Sequence, residues 1–222
     1  MLGLRKATVE DVASITDIYF SAFSIDAISL LCFPRNNGAV YSWWFDMITD
    51  EVSQPGAHHL VVTIPCATNP SHGEIIAWAL WNAPAASTSS PSTLPLWPLG
   101  CDVGLANYFF GNLIDRRKQI MGARPYWYLE LIATRPDWQG QGAAGKLLRW
   151  GLERADREGV EAYIEASLDG KQIYERFGFQ EVAKLAVDLS GRDPCRTGET
   201  HFVEAMMVRA ARNSDRTPTH WR

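Results

Sequence analysis

The chain has 222 residues, 46% of them hydrophobic and 21% charged, an ordinary globular composition with ample material for a core. A formal net charge of −4 offers no global basic field to recruit nucleic acid or an anionic membrane. No apolar run approaches the ~20 residues of a transmembrane helix, and no signal-peptide core follows the N-terminus.

The four cysteines (Cys32, Cys66, Cys101, Cys195) have neither metal-ligand spacing nor the density of a disulfide framework. Reduced thiols in a cytoplasmic protein without a metal are the expectation. In chain order, residues 3–7 read as a short strand. Thr8-Val9-Glu10-Asp11 has the form of a capping box, and Val12, Ile15, Ile18, Tyr19 and Ala22 follow at helical spacing, predicting a helix over 9–24. The aromatic segment 25–49 contains Pro34 and Asn36-Asn37-Gly38, predicting a turn and a second helix near 38–52. Strands are expected at 59–64 and 74–81, around a turn at Asn69-Pro70-Ser71-His72-Gly73.

Residues 83–104 form an irregular excursion, rich in Pro, Ser and Thr over 83–101, within one domain rather than between two. Leu105, Tyr108, Phe109 and Leu113 mark a further helix ending in Arg116-Arg117-Lys118, a basic cluster expected in solvent near a helix C-terminus. A strand over 126–134 leads to a long helix over 142–158, whose apolar face is Ala144, Leu147, Leu148, Gly151, Leu152 and Ala155. Then come a strand at 160–166, a short helix at 170–177, and strands at 181–189 and 202–208. A single domain over 1–210 with a polar tail over 211–222 accommodates these elements.

The most informative stretch runs from Thr134 to Leu148: T-R-P-D-W-Q-G-Q-G-A-A-G-K-L-L. Small residues let an anion approach the backbone where a strand gives way to a helix, and the first-turn N–H groups have no intrahelical acceptor. Together with the helix dipole they make an anion site suited to a diphosphate. Gly140-x-Gly142-x-x-Gly145 also matches the dinucleotide fingerprint formally, but five residues separate it from the strand, unlike the immediate strand-to-glycine step of that fold. A P-loop fits less well, because Gly145-Lys146 is followed by Leu147. A glycine-rich turn without a ligand also remains open.

Gln139, Gly142 and Ala144 occupy the defined positions of R/Q-x-x-G-x-G/A, and in this the stretch resembles the acetyl-CoA signature of the GNAT superfamily of N-acetyltransferases. Tyr174-Glu175-Arg176-Phe177-Gly178-Phe179 resembles a second block of that family at about the expected separation. The resemblance implies an α/β fold with a mixed, mostly antiparallel sheet of six to seven strands, flanked by helices and splayed at the acetyl-CoA site. It implies that backbone groups of Gln139, Gly140, Gln141, Gly142, Ala143, Ala144, Gly145 and Lys146 surround the CoA pyrophosphate. It further implies that Ile132, Ala133 and Thr134 pair with the pantetheine arm, and that Tyr174 stands beside the sulfur.

A phenol within hydrogen-bond reach can protonate the departing thiolate, which makes Tyr174 the general-acid candidate. Period-two alternation puts Tyr128, Glu130, Ile132 and Thr134 on one strand face. A glutamate in such an apolar strand is costly to bury without a partner or a function. Glu130 lies where family members place a base or a water-ordering residue, with Tyr128 the weaker candidate. A backbone N–H near Ile132 or Ala133 is the implied oxyanion donor. His58, His59 and His72 have no identifiable partner.

The implied acceptor is an amine of a small molecule, met by a monomer or homodimer. Trp43 and Trp44 are candidate pocket walls, and Asp26, Asp46 and Asp50 candidate ammonium partners. Peptide acetylation and a non-catalytic acyl-CoA-binding module are the alternatives, with an NAD-dependent oxidoreductase further off.

Overall fold

The computed structural model describes residues 1–66, 72–84, 94–192 and 200–212. Its elements in order are β1 (Gly3–Lys6), α1 (Val12–Ala22), α2 (Ala27–Cys32), α3 (Gly38–Glu51), β2 (Ala57–Ile64) and β3 (Glu74–Asn82). After these come α4 (Val103–Met121), β4 (Tyr126–Thr134), α5 (Ala143–Glu158), β5 (Glu161–Ser167), α6 (Leu168–Arg176), β6 (Gln180–Asp188) and β7 (His201–Arg209). The strands form one seven-stranded sheet in the order β1-β2-β3-β4-β5-β7-β6. Only β4 and β5 pair in parallel; every other neighbouring pair is antiparallel.

Helices cover both faces, which is why β3 reads as a near-continuous apolar run instead of an alternating one. On one face α1–α4 bury Ile15, Ile18, Phe33, Ile48, Trp78, Leu80 and Tyr163. On the other, α5 and α6 bury Trp81, Trp127, Leu129, Leu147, Leu148 and Ile164.

The N-terminal cap forms around Asp11: Thr8 N–H donates to its carboxylate at 2.8 Å, and Arg5 donates to both oxygens at 2.6 and 2.8 Å. The sequence reading missed α2. Asp26 caps it by accepting the Ser29 N–H at 2.7 Å, a local bond that starts a helix too short for periodicity to reveal.

Of the expected excursion, 85–93 lies outside the described residues, as do 67–71 within the expected turn, Cys195, and 213–222 of the expected tail. The part from 94 to 102 packs back on the helices. Trp97 meets Phe33, Trp43 and Phe110, and Trp43 donates its indole N–H to Leu96 C=O at 2.9 Å.

Two departures from regularity shape the centre of the sheet. Leu80 pairs with Leu131 and Trp81 with Leu129, so Glu130 is an extra residue, a β-bulge, in β4. The bulge resets the alternation: Tyr126, Tyr128, Leu131 and Ala133 face the α1–α4 side, whereas Trp127, Leu129 and Ile132 face α5. The uninterrupted face of Tyr128, Glu130, Ile132 and Thr134 is therefore corrected, because strict period two holds only while the ladder is regular. Secondly, β4 and β5 pair only across Tyr126–Leu129 and 161–164. Beyond that, 131–134 stays with β3 and 165–167 with β7, so the two strands part and leave an opening.

Candidate active site

The glycine loop closes one end of this opening. Pro136–Trp138 forms a single 3-10 turn, anchored by Arg135, which binds Asp137 at 2.7 and 2.8 Å and also contacts Glu74. Gly140 and Gly142 have φ of 74° and 87°, the left-handed region that favours glycine, and nothing in the described structure would touch a side chain built on either. Gly142 caps α5, and the first helical ladder bond runs from Lys146 N–H to Gly142 C=O at 3.3 Å. The N–H groups of Ala143, Ala144 and Gly145 therefore lie ahead of that bond, at the positive end of α5.

Gln139, Gly140, Gln141 and Gly142 are exposed, Ala144, Gly145 and Lys146 half-buried, and the Ala143 side chain is buried in the core. The arrangement fits a diphosphate: backbone donors, room left by the glycines, and no carboxylate in the loop beyond the arginine-bound Asp137.

The strand end supplies directed donors. Arg135 N–H donates to Ile76 C=O of β3 at 2.9 Å. By the alternation of a ladder, the N–H groups of Ala133 and Leu131 also face β3, while those of Thr134 and Ile132 face the opening. Of the two residues expected to carry an oxyanion donor, Ile132 presents its N–H there and Ala133 does not.

Tyr174 sits on α6 with its ring buried, edge-on to Phe179 at 6.1 Å, and close to Gly170. Burial, then the field of Glu204, pushes its phenol well above the ordinary range. It is thus a protonated donor at neutral pH.

Glu130 is solvent-exposed at the bulge yet crowded by protein, as at the floor of a cleft. Desolvation raises its pKa, against the opposing pull of Arg117 and of Asn82, which donates to it at 2.6 Å. A second carboxylate, Glu51 at the end of α3, is pushed up to about 7 by burial, then by Glu130 and Asp50. His59 approaches Glu51 at 4.0 Å but is held down to about 4 by burial and His58, so it is neutral at pH 7 and the approach is not an ion pair. Its Nδ1 accepts from Trp78 at 3.3 Å, a partner that the sequence reading did not find.

A further charged group was read differently. Arg117, expected in solvent, is only 8% exposed; it lies 3.6 Å from Glu165 and 4.2 Å over the Tyr128 ring. The helix continues to Met121, so the cluster falls before its end, and the rotation of α4 turns Arg117 onto β4 and β5. Nearby Glu204, on β7, is also buried. Neither Glu51, Glu165, Glu204 nor Arg117 was singled out beforehand as a site residue; the signal for the two strand glutamates was an acid within an otherwise apolar strand.

The aromatic candidates resolve as packing. Trp44 is buried, stacked on Tyr19 at 3.8 Å, and Trp43 stacks on Phe33 at 5.6 Å. Asp26 caps α2, and Asp46 and Asp50 are exposed on α3.

A mixed sheet split between its parallel strands, with a glycine turn entering a helix at the split, defines the GNAT acyltransferase fold. The chain belongs to the Acetyltransferase (GNAT) family, whose match spans residues 27–179, and that family uses acetyl-CoA as co-substrate. Among solved structures, a histone acetyltransferase HPA2 and related acetyltransferase from Corynebacterium glutamicum is similar at 22% identity and TM-score 0.60, covering 99% of each chain. A mosquito arylalkylamine N-acetyltransferase-like protein is similar at 12% identity and TM-score 0.63, over 95% of this chain and 100% of that one. A polyamine N-acetyltransferase of Drosophila melanogaster, which forms N-acetylagmatine, is similar at 13% identity and TM-score 0.60, again over 95% and 100%. At these identities the likeness concerns the fold.

Proposed function

We propose that this enzyme acetylates a small-molecule amine by direct transfer from acetyl-CoA in a ternary complex. The observation that carries the reading is the parting of β4 from β5 after Leu129, with the bulged Glu130 the next residue and the Gly140–Gly142 loop following the free end of β4; Tyr174, on the helix directly after β5, supports it. The acetyltransferase family and the small amines named for the mosquito and Drosophila enzymes support the acceptor class. A single catalytic domain over about 1–210 is part of the reading.

In this mechanism the loop N–H groups bind the pyrophosphate and the free edge of β4 pairs with the pantetheine arm. Glu130, directly or through water, takes the proton of the ammonium, because only the neutral amine has a lone pair to attack with. The nitrogen bonds to the thioester carbon, and the Ile132 N–H faces the oxygen that gains charge. As the C–S bond breaks, Tyr174 donates a hydrogen bond to the thiolate. The nitrogen, which carries one proton too many after attack, releases it as the amide forms; since burial disfavours the Tyr174 phenolate, this second proton replaces any that Tyr174 passes to the sulfur.

The test is a thermal-shift titration with acetyl-CoA, CoA and NAD, followed by thiol release against a panel of amines. Stabilisation by acetyl-CoA with thiol release for a small amine is expected. Stabilisation with release only for peptides, or with no release at all, would reject the acceptor class; no stabilisation by either CoA species would overturn the reading.

A further inference from the structure

The acids that face the α1–α4 side of the opening differ in how they are compensated. Glu130 receives the Asn82 amide, Glu165 has Arg117 at 3.6 Å, and Asp26 accepts the Ser29 N–H and feels Arg35. Glu204 is different. Its residue is only 9% exposed, yet among the described residues no hydrogen bond or ion pair reaches its carboxylate, and the charged groups it senses, Glu165 and Asp26, are themselves acids. A lone buried carboxylate is expensive to keep unless a cation joins it.

Its position gives that cation a place. Glu204 lies opposite Ser167, the last residue of β5, on the face that carries Phe202 and Met206. That is the end of β5 that has already parted from β4, and the Glu204 field is felt by the Tyr174 phenol.

On the reading that the site acetylates a small amine, we propose that the acceptor carries a second cationic group and that Glu204 receives it, so that a diamine or guanidino-amine is preferred to a monoamine. One nitrogen reacts at the opening beside Glu130 and Tyr174; the other remains charged and supplies the positive charge that Glu204 lacks. Two paired spacings would put β4 and β7 roughly 10 Å apart, and the parting of β4 from β5 makes that a lower bound at this end. A hydrogen bond at each end then calls for at least about three carbons between the nitrogens.

The experiment measures thiol release from acetyl-CoA by the full chain, comparing 1,3-diaminopropane, 1,4-diaminobutane and 1,5-diaminopentane with propyl-, butyl- and pentylamine. The expected result is a kcat/KM at least about tenfold higher for the best diamine than for the monoamine of equal length, a factor typical of one compensated charge. Glu204→Gln should bring that ratio close to one, and Glu204→Asp, which keeps the charge, should retain most of it. Stabilisation by acetyl-CoA verifies that both variants fold. A wild-type ratio near one, or a ratio untouched in Glu204→Gln, would overturn the assignment while leaving the acetyltransferase reading intact. Thiol release by no amine of either series would also overturn the assignment; the acetyltransferase reading falls with it only if acetyl-CoA fails to stabilise the chain.

Discussion

In the proposed reaction, Tyr174 and Glu130 are assigned opposite ends of the same requirement: one is to hold a proton at neutral pH, the other to lack one. Burial serves the first, because a desolvated phenol resists ionisation, and works against the second, whose pKa it also raises. Tyr174→Phe removes the donor and keeps the ring. The expected result is a fall in kcat of about 10²-fold or more with little change in stabilisation by acetyl-CoA, measured by thiol release and thermal shift on one preparation. Unchanged turnover would end the role given to Tyr174.

Glu51 is the group placed to titrate near neutrality. Its folded pKa of about 7 lies above the ordinary value of 4.5, so the protonated form is favoured by folding. The associated stability is fully present below the unfolded pKa and is lost as pH rises through about 7. Glu51→Gln should therefore raise Tm relative to wild type at pH 8 and lose that advantage at pH 4. As Glu51 ionises it strengthens Glu130 as a base, so a limb of kcat/KM rising through pH ~7 should flatten in the same variant. A wild-type limb that survives the substitution would assign it elsewhere.

At the scale of elements, α5 is held against the sheet by a close approach. A Cβ on Gly151 would collide with the ring of the fully buried Trp81, whose indole donates to Leu147 C=O of the same helix at 3.1 Å. Alanine is the better helix former by nearly 1 kcal/mol. Overpacking costs about 1–3 kcal/mol, and here the neighbour is a rigid ring pinned by a hydrogen bond. Gly151→Ala is therefore expected to destabilise the protein by about 1–2 kcal/mol net in denaturant unfolding. A neutral or stabilising result would mean that α5 can slide, and with it the glycine loop at its N-terminus.

Over the whole molecule, the candidate site lies where the sheet is incomplete. β4 and β5 share their first four residue pairs and then belong to different partners, β3 and β7. Acetyl-CoA is expected to bridge the gap, so its binding should stabilise the fold rather than one loop. At a hundredfold excess over Kd the gain is about 2.7 kcal/mol, or a Tm rise of roughly 5–10 °C for a chain of this size. A shift confined to local protection of 139–146 in hydrogen exchange, without a rise in Tm, would argue against a bridging ligand.

The sequence by itself determined the elements and the position of the glycine loop. Hydrophobic periodicity, capping residues and glycines at positive φ are local signals, and they located all seven strands, the helices longer than six residues, and the loop from Gln139 to Lys146. Tertiary structure alone decided which side chains meet. The Glu130 bulge is a mismatch between two strands, so period-two counting within β4 could not register it. Arg117 reads as a solvated cation until α4 is laid on β4 and β5, where Glu165 and the Tyr128 ring make its burial tolerable. Glu51, Glu165 and Glu204 come from α3, β5 and β7, and their pKa values rise because the fold removes water from charges that are far apart in the chain.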